Sequence, residues 1–142
     1  MKKRLTILLF LGCHVVLISQ KNYAIRTIGF YNVENLFDTI NDPDTYDENS
    51  PLMLLKGNLS KVYWNRITHI SKVISKIGYD KANNAPSILG IAEVENKNVL
   101  KDLVASEHLK AYDYHILHFD SPDQRGIDVA LIYQQSQFSP TH

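Results

Sequence analysis

Apolar residues along this chain recur with period two in three short stretches, fill a fourth, and recur with helical period in two more. Residues 25–33 alternate, with Ile28, Phe30 and Asn32 on one face, and period two carries Glu34 onto that face as well. Tyr63, Ile67, Ile70, Ile74 and Ile77 follow at spacings of four and three, a single stripe that predicts a helix over residues 60–77. Gly78 supplies the stop, and Lys72 and Lys76 suit the negative end of the helix dipole. His69 lies beside the stripe and Trp64 at the edge of the core. Residues 87–92 are all small or apolar, the pattern of a strand buried on both faces. Asn96 or Asn98 then caps a short helix whose inner side carries Val99, Leu100, Leu103 and Val104. Residues 112–119 and 126–133 alternate again, the second with Ile127, Val129, Leu131 and Tyr133 opposite Asp128, Ala130 and Ile132. The short Pro-containing turn between them predicts a hairpin.

The order strand, helix, strand, helix, strand, strand predicts an α+β fold: a mixed sheet with helices on one face. The other sheet face, carrying Ile28 and Phe30, is then uncovered and calls for a partner layer. Residues 38–51 are polar and rich in turn formers, which predicts a solvated surface loop. Its acids Asp38, Asp42, Asp44, Asp47 and Glu48 lack the Gly and Glu positions of an EF-hand.

Composition narrows the classes. With 44% apolar and 21% charged residues among 142, the chain has enough apolar content for one folded core. The net charge of zero gives no basic excess for tight non-specific nucleic-acid binding. A basic start (Lys2, Lys3, Arg4) and an apolar run to Ser19 read as a signal peptide over residues 1–19, with secretion or a periplasmic location expected. The apolar run continues past Cys13, which argues against lipidation there. Without residues 1–19, 15 basic residues less these three leave 12 against 15 acidic ones, a net charge of −3. Cys13 is the only cysteine, so residues 20–142 offer no disulfide, thiolate ligand or cysteine nucleophile.

Two strand ends carry the candidate chemistry. Glu93 closes the apolar run 87–92, where a carboxylate is costly to bury without a partner such as a metal ion. Asn32 and Glu34 close the first strand in the same way. Oxygen donors of this kind favour Mg²⁺, Mn²⁺ or Ca²⁺. In a phosphoesterase Glu34 and Glu93 fit metal ligands and Asn32 an orienting amide, and Arg125 is placed to contact phosphate. His115 and His118 read as satisfied strand histidines.

The segments 30–38 (FYNVENLFD), 88–96 (ILGIAEVEN) and 120–133 (DSPDQRGIDVALIY) resemble the endonuclease/exonuclease/phosphatase family, in particular its secreted bacterial members. The resemblance implies a four-layer α/β/β/α sandwich and Mg²⁺ (or Mn²⁺)-dependent cleavage of phosphate esters. It implies that Glu93 is the metal-binding glutamate, Glu34 a second acidic ligand and Asn32 the catalytic asparagine near phosphate and metal. It places Arg125 and Asp128 beside the substrate groove. The family continues with an Asp-x-Asn segment and a terminal Asp-His segment, and neither follows the third segment here. Residues 20–142 are therefore expected to be the N-terminal part of the domain, half of the sandwich, with the family's catalytic histidine assigned to no residue. The expected partner is a phosphate ester, nucleic acid included, with no stable membrane span. The alternative is a non-catalytic secreted module that dimerises through the open sheet face.

Overall fold

The computed structural model describes residues 23–141. The expected signal peptide over residues 1–19 lies outside them. The strands are β1 (Ile28–Leu36), β2 (Ile88–Val94), β3 (Tyr114–Phe119) and β4 (Asp128–Gln134). The helices are α1 (Leu59–Ile74), the short α2 (Tyr79–Ala82) and α3 (Lys97–Ala105). The sheet order is β1-β2-β4-β3, with β1 parallel to β2 and the other two pairs antiparallel. This is the expected α+β arrangement of a mixed sheet, and β3–β4 form the expected hairpin. None of the described helices is long and apolar enough to cross a membrane.

The core lies between the helices and one sheet face. Ile67, Ile70 and Ile74 of α1 and Val99, Leu100 and Leu103 of α3 meet Leu89, Ile91 and Ile132 there. Full burial of each such side chain contributes roughly 1.5–3 kcal/mol. The Tyr63 hydroxyl donates to Asp102 Oδ2 at 2.7 Å and ties α1 to α3. Asn96 caps α3, its Oδ1 accepting from the N–H groups of Asn98 (2.8 Å) and Val99 (3.0 Å). Gly78 is left-handed (φ 68°), as a helix stop requires, and it leads directly into α2.

The opposite sheet face is open. Period two sets Ile28 and Phe30 of β1, Val129 of β4 and Phe119 of β3 on it, and Phe30 is 69% exposed. The Phe30 ring lies across Gly90: a Cβ there would stand 2.9 Å from Phe30 Cδ2. β2 is buried on one face only, through Leu89 and Ile91, while Ile88, Gly90 and Ala92 are half-open. The expectation of burial on both faces is corrected here, because β2 has neighbours in the sheet plane but a covering layer on one side. In β4, Ala130 and Ile132 face the core and Val129, Leu131 and Tyr133 face outward.

Candidate active site

The site forms where β1 and β2 leave their regular register. Asn32 pairs with Ala92 and Leu36 with Val94, so Val33, Glu34 and Asn35 stand against Glu93 alone. The mismatch is taken up by left-handed backbone at Glu34 (φ 55°), Asn35 (φ 55°) and Glu93 (φ 63°). Asn tolerates this conformation, whereas for Glu it costs about 1–3 kcal/mol and persists only when the surroundings enforce it. Here they do. Asn32 Oδ1 accepts the Glu34 N–H at 2.7 Å. Arg66 of α1 donates through Nη2 to the carbonyls of Val33 (3.0 Å) and Glu34 (2.6 Å). The Glu95 N–H closes the turn onto the Leu36 carbonyl at 3.1 Å.

This irregularity re-aims Glu93. Regular alternation after Leu89 and Ile91 would point residue 93 into the core; the bulge puts Val94 there instead, fully buried. The Glu93 carboxylate is held at the strand end, with Oε1 accepting from Asn32 Nδ2 at 2.9 Å and Oε2 from the Asn35 N–H at 3.2 Å. Asn32 and Glu93 are thus brought together. Glu34 joins through its backbone; its carboxylate is exposed and makes no hydrogen bond among the described residues.

Arg125 and Asp128 line two different cavities. Arg125 is exposed and bidentate to Asp123, Nε to Oδ1 at 3.0 Å and Nη2 to Oδ2 at 2.7 Å. These bonds hold the Asp123 carboxyl below the usual carboxylate range and raise the Arg125 guanidinium, with Glu93 adding a smaller push. Arg125 lines a cavity of about 110 Å³ with Asn35, Phe37 and Tyr46. Asp128 is buried and lines a different cavity. Its Oδ1 accepts the Ser121 N–H at 2.7 Å, and its Oδ2 lies 2.9 Å from His118 Nε2.

Several contributors are not evident from sequence. Arg66 sits on the polar flank of the α1 stripe; its one signal is that it follows Tyr63 by three positions. Glu95 is buried, and its Oε2 accepts the Asp38 N–H. Burial pushes its carboxyl up to about 7, the Asp38 N–H opposes this, and Asp38, Asp47 and Asp42 add to it. The 38–51 segment is not wholly solvated: Asp47 is 1% exposed and accepts the Asp42 N–H at 2.9 Å. His118 stands between two carboxylates, its Nε2 2.9 Å from Asp128 Oδ2 and its Nδ1 3.4 Å from Asp120 Oδ1, while Nε2 makes no aligned hydrogen bond among the described residues.

A family model described as "Endonuclease/Exonuclease/phosphatase family" matches residues 27–142. Comparison with curated proteins found no match, and neither did comparison with solved structures.

Proposed function

We propose, from the premise that the chain belongs to the endonuclease/exonuclease/phosphatase family, that it hydrolyses phosphate esters with a divalent cation held at Glu93. A phosphoesterase or nuclease type of function goes with the family. The observation that carries the finer reading is the re-aimed Glu93 carboxylate, steadied on both oxygens by Asn32 and Asn35. Each carboxylate oxygen keeps a further lone pair, and the donors are all oxygen, a set that fits Mg²⁺ or Mn²⁺.

In this reading Glu93 holds the cation and the exposed Glu34 carboxylate is its second acidic ligand. Such an ion, when bound, supplies positive charge against the phosphate oxygens. Asn32 sets the Glu93 geometry and lies beside the phosphate. Arg125, already oriented by Asp123 and within the field of Glu93, contacts a phosphate oxygen. Hydrolysis adds water at phosphorus as the ester oxygen leaves with a proton. The test is Glu93→Gln, assayed by Mg²⁺ titration and by turnover of a phosphodiester. Metal affinity and turnover are expected to fall at least about tenfold. Unchanged values at saturating Mg²⁺ would remove Glu93 from the ligand set.

A second reading rests on the open sheet face, where Ile28, Phe30 and Phe119 are exposed together. Apolar surface of this kind supports self-association. Sedimentation should then show a dimer that Phe30→Asp dissociates; a monomer at high concentration would exclude it.

A further inference from the structure

We propose that the chain carries a second divalent-cation site, formed by His118, Asp120 and Asp128 and backed by Glu95, apart from the Glu93 end of the sheet. One ligand atom from each of His118, Asp120 and Asp128 lies within 4.8 Å of the others. Ligands about 2.1–2.3 Å from one ion stand roughly 3–4.6 Å apart, so this spacing suits a shared cation. The hairpin register makes the cluster. His118 pairs with Ala130 on the core-side face, Asp120 follows the end of β3, and Asp128 opens β4. None of Asn32, Glu34 and Glu93 lines this cavity of about 230 Å³.

Charge points the same way. Asp42, Glu95, Asp120, Asp123 and Asp128 all line the cavity, and no lysine or arginine does. Among the described residues, Asp123 alone of these has a lysine or arginine partner, in Arg125. The buried polar atoms are an independent indication. His118 Nε2 makes no hydrogen bond although Asp128 Oδ2 is 2.9 Å away, so the oxygen lies off the direction of a ring N–H. Thr45 Oγ1, on the same wall, is also buried without a partner among the described residues. Glu95 is 8% exposed and gives one oxygen to the Asp38 N–H; its other oxygen accepts no bond among the described residues. A ring nitrogen and a carboxylate oxygen held 2.9 Å apart without a hydrogen bond between them favour a positive charge shared by both. A mixed imidazole–carboxylate set suits Mn²⁺ or Zn²⁺ better than Ca²⁺.

An ion here would fasten the end of β3 to the start of β4, at the two ends of the turn that carries Gln124 and Arg125. Occupancy therefore limits the movement of that turn, Arg125 included.

The experiment is calorimetric titration of the chain carrying Glu93→Gln with Mn²⁺ and with Zn²⁺, alongside thermal melts. One ion is expected to bind and to raise the melting temperature. Asp120 has a side chain 93% exposed, so Asp120→Asn keeps the fold. That change, and His118→Gln, should each weaken binding at least tenfold. In the unsubstituted chain Asp120→Asn alone should lower the number of bound ions by one. Zn²⁺ should also shift the ring-nitrogen resonances of His118. Failure of the Glu93→Gln chain to bind either ion at millimolar concentration would overturn the proposal. Binding undiminished by both substitutions, or His118 resonances unmoved by Zn²⁺, would overturn it too.

Discussion

Arg66→Ala tests whether α1 holds the active-site backbone in place. The guanidinium donates to the Val33 carbonyl at 3.0 Å and the Glu34 carbonyl at 2.6 Å, on either side of the peptide link where β1 turns left-handed. A hydrogen bond from a charged donor contributes about 1.5–3 kcal/mol when buried. The Val33 contact is part-buried and the Glu34 contact exposed, so solvent screening brings the pair to about 2 kcal/mol. That corresponds to about a 30-fold change in the folded-to-unfolded ratio. Loss of the clamp also frees Asn35, whose N–H positions Glu93 Oε2, and supporting contacts of this kind are worth about tenfold in metal affinity. The assay is urea denaturation at constant m-value together with Mn²⁺ titration. Arg66→Lys, a single point donor, should retain one carbonyl contact and lose about half as much stability. Lys61→Ala, an exposed change on the same helix, is the control and should change nothing. Stability within about 0.5 kcal/mol of the parent and unaltered Mn²⁺ affinity in Arg66→Ala would refute the clamp and show that the strand ends hold their own shape.

Tyr114 gives an alkaline signature: its hydroxyl donates to the Pro86 carbonyl, and burial pushes its pKa up from 10.0 to about 12. Between those values the folded chain keeps a proton that the unfolded chain has lost, so stability should fall by about 2 kcal/mol as pH rises from 10 to 12. Tyr114→Phe should flatten that part of the pH–stability curve, and Gln134 Nε2 still donates to Pro86 in its place. At Gly78, φ is 68° and an added Cβ would meet Thr27 Oγ1 at 2.3 Å. Gly78→Ala should destabilise by about 2–3 kcal/mol in chemical denaturation, and Thr27→Ala should restore only part of it, since the close Cβ of residue 27 (2.9 Å) and the backbone strain remain.

The element order and the hairpin are legible because periods of 2 and 3.6 survive in the sequence, and the α1 stripe is uninterrupted from Tyr63 to Ile74. Asn32 and Glu93 are legible for a related reason: each is a polar residue where an alternating or apolar run stops. What the pattern hides is backbone handedness. Glu34 and Glu93 carry no signal for φ above zero, so β1 reads as ending at Val33 when it continues to Leu36. Asp128 was placed on the Ala130 side of its strand correctly, but its pairing with His118 depends on the register across the hairpin, which spacing does not specify. Arg66 acts through backbone carbonyls, which no side-chain pattern records.

The Asn32–Glu93 contact spans 61 positions and joins two parallel strands through all of α1. The binding geometry therefore does not exist until the longest closure in the parallel pair is complete. A cation that recognises Glu93 in this setting arrives after the folding nucleus, not within it. Its presence should lengthen the lifetime of the native chain by slowing unfolding, while the folding rate stays the same in its absence. An ion held there, as proposed, would be a latch on a finished sheet rather than a template for building one.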